Sequence, residues 1–140
     1  MSQVIRVFID SDVVISSTGA AYFLINQFNL DLYISNFSVK ELEIVCTRLK
    51  LGQDKLKNLI KQKLNVTNIV KNSDQLKEEF KDYTLDVNDA HIVASAVNVE
   101  AKFLITYNLR HYKLDKIKEN LNLMVLTPAN FLQYLRGLSK

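Results

Sequence analysis

Residues 4–17 read VIRVFIDSDVVISS, and the reading of this stretch decides the fold. Val4, Ile5, Val7, Phe8 and Ile9 make a nearly continuous apolar run rich in β-branched residues. Such a run suits a strand buried on both faces of a parallel sheet better than an alternating, half-solvated one. It ends abruptly at Asp10-Ser11-Asp12, whose two carboxylates are costly to bury without partners. In open α/β sheets the carboxyl ends of the strands form the crevice where ligands bind. Acids placed there are candidates for metal binding or acid–base work. The competing reading is a polar turn in which Ser11 or Asp12 bonds nearby backbone N–H groups.

Outward from this strand and its acidic turn, the spacing of Tyr22, Ile25 and Phe28 predicts a helix over Thr18–Asn29. Leu30–Ser35 (LDLYIS) is short, alternating and β-prone, a second strand. Ser38 and Glu41 match a capping box, with serine at N-cap and glutamate at N3, opening a helix with Val39, Leu42, Cys46 and Leu49 on one face. Further helices are expected over Asp54–Leu64, Ser73–Tyr83 and Ala90–Val99. Short strands are expected at Val66–Val70, Lys102–Thr106 and Leu123–Leu126, with partly helical chain over Leu109–Asn120. Pro128 suits the first position of a closing helix. Strands and helices alternate throughout, which predicts an α/β fold: three layers, α/β/α, around a short, mostly parallel central sheet.

The 140 residues fit a single domain, 1–140, and a composition 48% hydrophobic and 24% charged is that of a globular protein. No apolar run approaches the roughly 20 residues of a membrane-spanning helix, and the amino terminus lacks a signal-peptide core. The single cysteine, Cys46, has no partner for an internal disulfide. A cytosolic protein with no membrane association is the expectation. The net charge of +3 is unevenly spread. Between Lys40 and Lys63, seven basic residues face only Glu41, Glu43 and Asp54. A second basic cluster holds Arg110, His111, Lys113, Lys116 and Lys118. Lys55, Lys57, Lys61, Arg110 and Lys113 are therefore candidates for contacts to a phosphate backbone, although such clusters also occur as solvated helix faces.

Three acids stand at element ends, each with a structural explanation of its own. Asp10 ends the first strand. Glu41 can be the N3 member of the capping box. Asp86 can be an N-cap and Asp89 a first-turn acid favoured by the helix dipole. Converging on one point, the three would form a hard-oxygen site of the kind Mg2+ and Mn2+ prefer. His91 reads as packing or hydrogen bonding, on a different helix face from Asp89. The chain contains no plausible Ser–His–Asp order, no glycine-rich phosphate loop and no CxxC pair.

The ordered segments FIDSDVVIS, FSVKELEIV, LDVNDAHIVASA and FLITYNLRHY resemble the PIN-domain family of metal-dependent ribonucleases, from about residue 5 to residue 112. The resemblance implies catalytic and metal-holding roles for Asp10, Glu41 and Asp89, with Asp86 an additional upstream acid. The family's fourth position, often an aspartate, falls on Asn108, which lacks the charge. It further implies Mg2+ or Mn2+ as cofactor, single-stranded RNA as substrate, an antitoxin protein as partner and a homodimer. In this fold the Val4–Ile9 and Lys102–Thr106 strands should lie side by side, so that Asp10 and Asn108 flank one crevice. Two alternatives stay open. In a haloacid-dehalogenase-type phosphatase, Asp10-Ser11-Asp12 would be the DxD and Thr106 the strand-end hydroxyl. In a catalytically weakened RNA-binding or scaffold protein, the fold would persist around a reduced site.

Overall fold

The computed structural model describes residues 4–16, 24–26, 29–50 and 52–138. Among these, five strands pair in parallel: β1 (Ile5–Ile9), β2 (Leu30–Ser35), β3 (Asn65–Thr67), β4 (Phe103–Ile105) and β5 (Met124–Leu126), in the order β3-β2-β1-β4-β5. The helices are α1 (Ser11–Ser16), α2 (Asn36–Arg48), α3 (Gln53–Lys63), α4 (Ser73–Phe80), α5 (Ala90–Asn98), α6 (Leu114–Leu121) and α7 (Pro128–Leu138). None of them is long and apolar enough to cross a membrane.

The nearly continuous apolar character of β1 follows from its place at the centre. Val7, Phe8 and Ile9 are all fully buried. Val7 and Ile9 point into a core with Val13, Val14, Leu42, Cys46 and Phe131, whereas Phe8 points into another with Ile92, Val93, Leu104 and Ile117. Helices therefore cover both faces, giving the expected three layers. Each such side chain contributes about 1.5–3 kcal/mol by leaving water.

The sheet grows outward from β1 in both directions, so the chain order reverses between β1 and β4. Ile9 stands opposite Ile105 in that pair, and Asp10 extends the ladder by donating its N–H to Ile105 O at 2.9 Å. The crevice at this reversal is where an open α/β sheet binds ligands.

Three boundaries differ from the sequence reading, and a fourth expected element is largely untested. The acidic turn is already helix: Asp10 O accepts the N–H groups of Val13 (3.0 Å) and Val14 (3.4 Å), and burial of both valines overrides their weak helix propensity. The helix expected over 18–29 lies largely outside the described residues; of its apolar stripe, Leu24 and Ile25 are buried. Helix α2 begins one turn early, capped by Ser35, whose hydroxyl accepts from Ser38 N at 3.1 Å. Glu41 is thus in the second turn, and the Ser38–Glu41 capping box does not form. Finally, β3 stops at Thr67. Beyond it the Asn36 amide replaces a neighbouring strand, accepting from Ile69 N at 2.8 Å and donating to Ile69 O at 3.4 Å.

Two loops at the carboxyl edge are tied together. Thr84 and Tyr112 form an antiparallel bridge, with Leu85 N donating to His111 O (2.9 Å) and Lys113 N to Tyr83 O (3.0 Å). This clasp fixes the segment carrying Asp86 and Asp89 against the turn carrying Asn108 to His111.

Candidate functional site

Asp10 leaves the end of β1 and is only 8% exposed. Its Oδ1 accepts from Ser11 N at 2.7 Å, and its Oδ2 from Thr106 Oγ1 at 2.9 Å and Tyr112 OH at 3.2 Å. Thr106 follows β4, so the parallel register of β1 and β4 places its hydroxyl on Asp10 directly. Ser11 links Asp10 to Glu41: its Oγ donates to Glu41 Oε2 at 3.0 Å and lies 3.4 Å from Asp10 Oδ1. On the other oxygen of Glu41, Oε1, stands His91 Nε2 at 2.8 Å. Asp89 occupies the N-cap position of α5 yet makes no side-chain capping bond there; its Oδ2 lies 3.4 Å from His111 Nδ1. The capping-box explanation of Glu41 is therefore not realised, whereas Asp89 does stand at the N-terminus of α5, where the helix dipole favours an acid.

Asp12 turns to the same edge. Its Oδ2 accepts from Tyr107 N at 3.1 Å and from Asn108 Nδ2 at 3.0 Å, while its Oδ1 is buried with no hydrogen-bond partner. Asn108 is thus engaged with Asp12, and its backbone N–H donates to Thr106 Oγ1 at 3.1 Å. Asp86 is exposed and caps the short turn Val87–Asp89 by accepting from Asn88 N at 2.9 Å. Asp10 and Asn108 do lie beside each other at the ends of β1 and β4, both bonded to the Thr106 hydroxyl, as the expected strand neighbours require.

The electrostatics are those of crowded carboxylates. Burial raises the Asp10 carboxyl, against the lowering effect of its Thr106, Ser11 and Tyr112 donors, and the Glu41 charge raises it further. Burial and then the Asp10 charge push Asp12 up from 3.8 to about 6. Asp89 is raised by burial and by Asp10, against the pull of His111. Burial also pushes Glu41 upward, but its bonds to His91 and Ser11 outweigh this and hold it below its ordinary value. Tyr112, raised by burial and by Asp10, stays protonated and so remains a donor to that carboxylate.

Among the described residues, no three His, Cys, Asp or Glu side chains stand in an arrangement that would hold an ion as they are. The chemistry of the donors nevertheless fits a hard divalent cation. Asp10, Glu41, Asp89 and Asp12 offer only oxygen, three of the four are raised by burial and by a neighbouring carboxylate, and Asp12 Oδ1 has no partner.

The basic candidates are all exposed: Lys55, Lys57 and Lys61 on α3, Arg110 in the turn Leu109–His111, and Lys113 before α6. Lys55 borders a cavity of about 530 Å3 with Val14, Ile15, Cys46 and Leu56, and none of the candidate metal ligands lines it. Three partners of the acids escaped the sequence reading. Ser11 and Tyr112 carried no spacing signal toward Asp10 or Glu41. His91 does pack and hydrogen-bond as expected, but toward Glu41.

The PIN domain family model matches residues 6–110. The chain belongs to the PIN-domain family. No curated protein matches it. Among solved structures, it is similar to a chain of a toxin-antitoxin complex from Klebsiella pneumoniae, at 21% identity and a TM-score of 0.63, covering 87% of this chain and 97% of that one. It is also similar to a chain of VapBC2 from Rickettsia felis bound to a DNA fragment from their promoter. That match has 17% identity and a TM-score of 0.61, and covers 86% of this chain and 97% of that one. At these identities the likeness concerns the fold. Family membership displaces the phosphatase alternative.

Proposed function

We propose that the protein is a metal-dependent endoribonuclease that hydrolyses phosphodiester bonds of single-stranded RNA in the cytoplasm, as the toxin of a toxin–antitoxin pair. The observation that carries this reading is the meeting of Asp10, Asp12 and Glu41 at the carboxyl ends of β1 and β4, with Asp89 coupled to Asp10 by charge, in a chain of the PIN-domain family. Asp10, Glu41 and Asp89 would hold Mg2+ or Mn2+, with Asp86 and Asn108 at the margin of the site. When bound, the ion supplies activation of the attacking water and offsets charge on the leaving oxygen.

The chain's own residues prepare the site. Thr106 and Tyr112 orient Asp10, and their hydroxyls keep its charged form tolerable in a buried position. Ser11 holds Asp10 and Glu41 in one arrangement. Lys55, Lys57 and Lys61, with Arg110 and Lys113, would contact the RNA backbone, contributing affinity rather than chemistry. The toxin role draws support from the similarity to a toxin-antitoxin complex and to VapBC2. It would bring an antitoxin as partner, and we propose a homodimer as the assembly.

The test is cleavage of a defined single-stranded RNA by the antitoxin-free protein with Mn2+. Wild-type protein should cleave, and Asp10→Asn and Asp89→Asn should lose on the order of 100-fold or more in rate, the scale of removing a directly acting polar group. Folded protein that cuts no RNA pool in Mn2+ or Mg2+ would leave the RNA-binding or scaffold role as the better reading.

A further inference from the structure

We propose that His91 is a positioning residue: its imidazole fixes Glu41 toward the acidic cleft and so sets the site's affinity for a divalent cation without touching the ion. The inference rests on the metal-dependent reading above and names a residue that reading does not require.

Glu41 is a long side chain on α2 with 44% of its surface exposed, and such a side chain samples many rotamers when free. Here both of its oxygens are held, each from a different element. Ser11 of α1 reaches Oε2 at 3.0 Å, and His91 of α5 reaches Oε1 at 2.8 Å. The contact between a carboxylate oxygen and Nε2 requires a proton on that nitrogen, so His91 donates.

The ring itself has little freedom. Its side chain is only 12% exposed, and it lies against Phe37 at 5.5 Å between ring centroids, tilted by 45°. Phe37 and Glu41 are one turn apart on α2, so the same helix supplies both the wall and the acceptor. His91 Nδ1 is buried with no hydrogen-bond partner. A bare buried polar atom weakens a fold, and an apolar side chain against Phe37 would avoid it. The imidazole is thus poorly explained as packing and well explained by the bond it makes to Glu41. Groups that hydrogen-bond a metal-ligating carboxylate fix its orientation and tune its affinity in this manner.

The experiment is Mn2+ titration of the metal-free full chain by calorimetry, with melting curves in EDTA to verify folding. His91→Phe keeps a ring against Phe37 and removes the donor; it should weaken Mn2+ binding by about 10–100-fold. His91→Gln, which retains an N–H donor, should recover most of that affinity. In a Glu41→Gln background, His91→Phe should bring no further loss, because its effect passes through Glu41. If His91→Phe does not fold, His91→Leu, smaller and equally without a donor, takes its place. Wild-type affinity in the folded donor-less variant overturns the inference, as does an additive loss in the Glu41→Gln background. A wild-type chain that takes up no Mn2+ overturns the metal-dependent reading and this inference together, and the two failures are told apart by the wild-type titration alone.

Discussion

Asp10 keeps its position at the end of β1 because three protein donors crowd its two oxygens, and Asp12, with one oxygen unpartnered, is the less settled of the pair. The consequence is a dependence on pH in the metal-free protein. Asp12 has a folded-state pKa of about 6 against an ordinary 3.8. Raised in this way, it contributes most to stability while protonated, and that contribution is lost as pH rises from about 4 through 6. Asp10 and Asp89 are raised as well and act in the same sense. Glu41, lowered by His91, acts oppositely and loses its contribution as pH falls below the ordinary carboxylate range. Melting curves in EDTA should therefore fall between pH 4 and 6.5, and Asp12→Asn should flatten the slope. Discounted for its partial exposure, Asp12 accounts for on the order of 1 kcal/mol, or roughly 3–5 °C. An unchanged slope in Asp12→Asn would remove Asp12 as its source. The candidate acids were visible in the sequence because carboxylates at a strand end and at helix starts are conspicuous. Ser11, His91 and Tyr112 were not, since their value lies in contacts across 30, 50 and 102 residues of chain.

At the level of elements, the start of α2 shows how two adequate signals compete. Ser35 and Ser38 can each cap, and the pattern Ser38-Val39-Lys40-Glu41 favours the second. The structure selects Ser35 because β2 ends on it and the chain enters the helix without a loop, which also puts Asn36 where its amide can pin Ile69. This register moves Glu41 out of the first turn and frees it to meet Ser11 and His91. Ser35→Ala should therefore destabilise the protein by about 1–2 kcal/mol, as loss of a cap does, lowering the melting temperature by roughly 3–10 °C. Ser38→Ala, which leaves the cap acceptor in place, should cost less. Equal losses would point back to Ser38 as the cap. The existence of the strands was legible from β-branched runs, as was the alternation that fixes a parallel sheet, whereas the order of the strands across it was not. Helix α1 was not, because Val13-Val14-Ile15 reads as strand-like until its burial beneath the sheet is known.

Across the whole molecule, the sheet order brings together loops far apart in sequence. The reversal beside β1 sets Asp10 next to Thr106, α2 presents Glu41, and the Thr84–Tyr112 clasp holds the Asp89 segment. The fold thus concentrates negative charge at one edge, where like charges oppose one another without a counter-ion. A cation that binds only the folded arrangement should stabilise the entire chain by mass action. At a hundredfold excess over its dissociation constant the gain is about 2.7 kcal/mol, a melting shift on the order of 10 °C. Asp10→Asn should abolish the shift. Carboxylates bind metal in their ionised form, so the shift should also shrink between pH 7.5 and pH 5, as Asp12 protonates near pH 6. Asn108 provides the sharper arm of the test. Its amide N–H now bonds Asp12 at 3.0 Å, and Asn108→Asp exchanges that bond for a facing carboxylate. The variant should melt below wild type in EDTA and gain more than wild type from Mn2+, because the added charge both repels Asp12 and attracts the ion. Identical melting of wild type in EDTA and in millimolar Mn2+ would refute the cation site, and a lower EDTA melting point for Asn108→Asp without a larger Mn2+ gain would place Asn108 outside it.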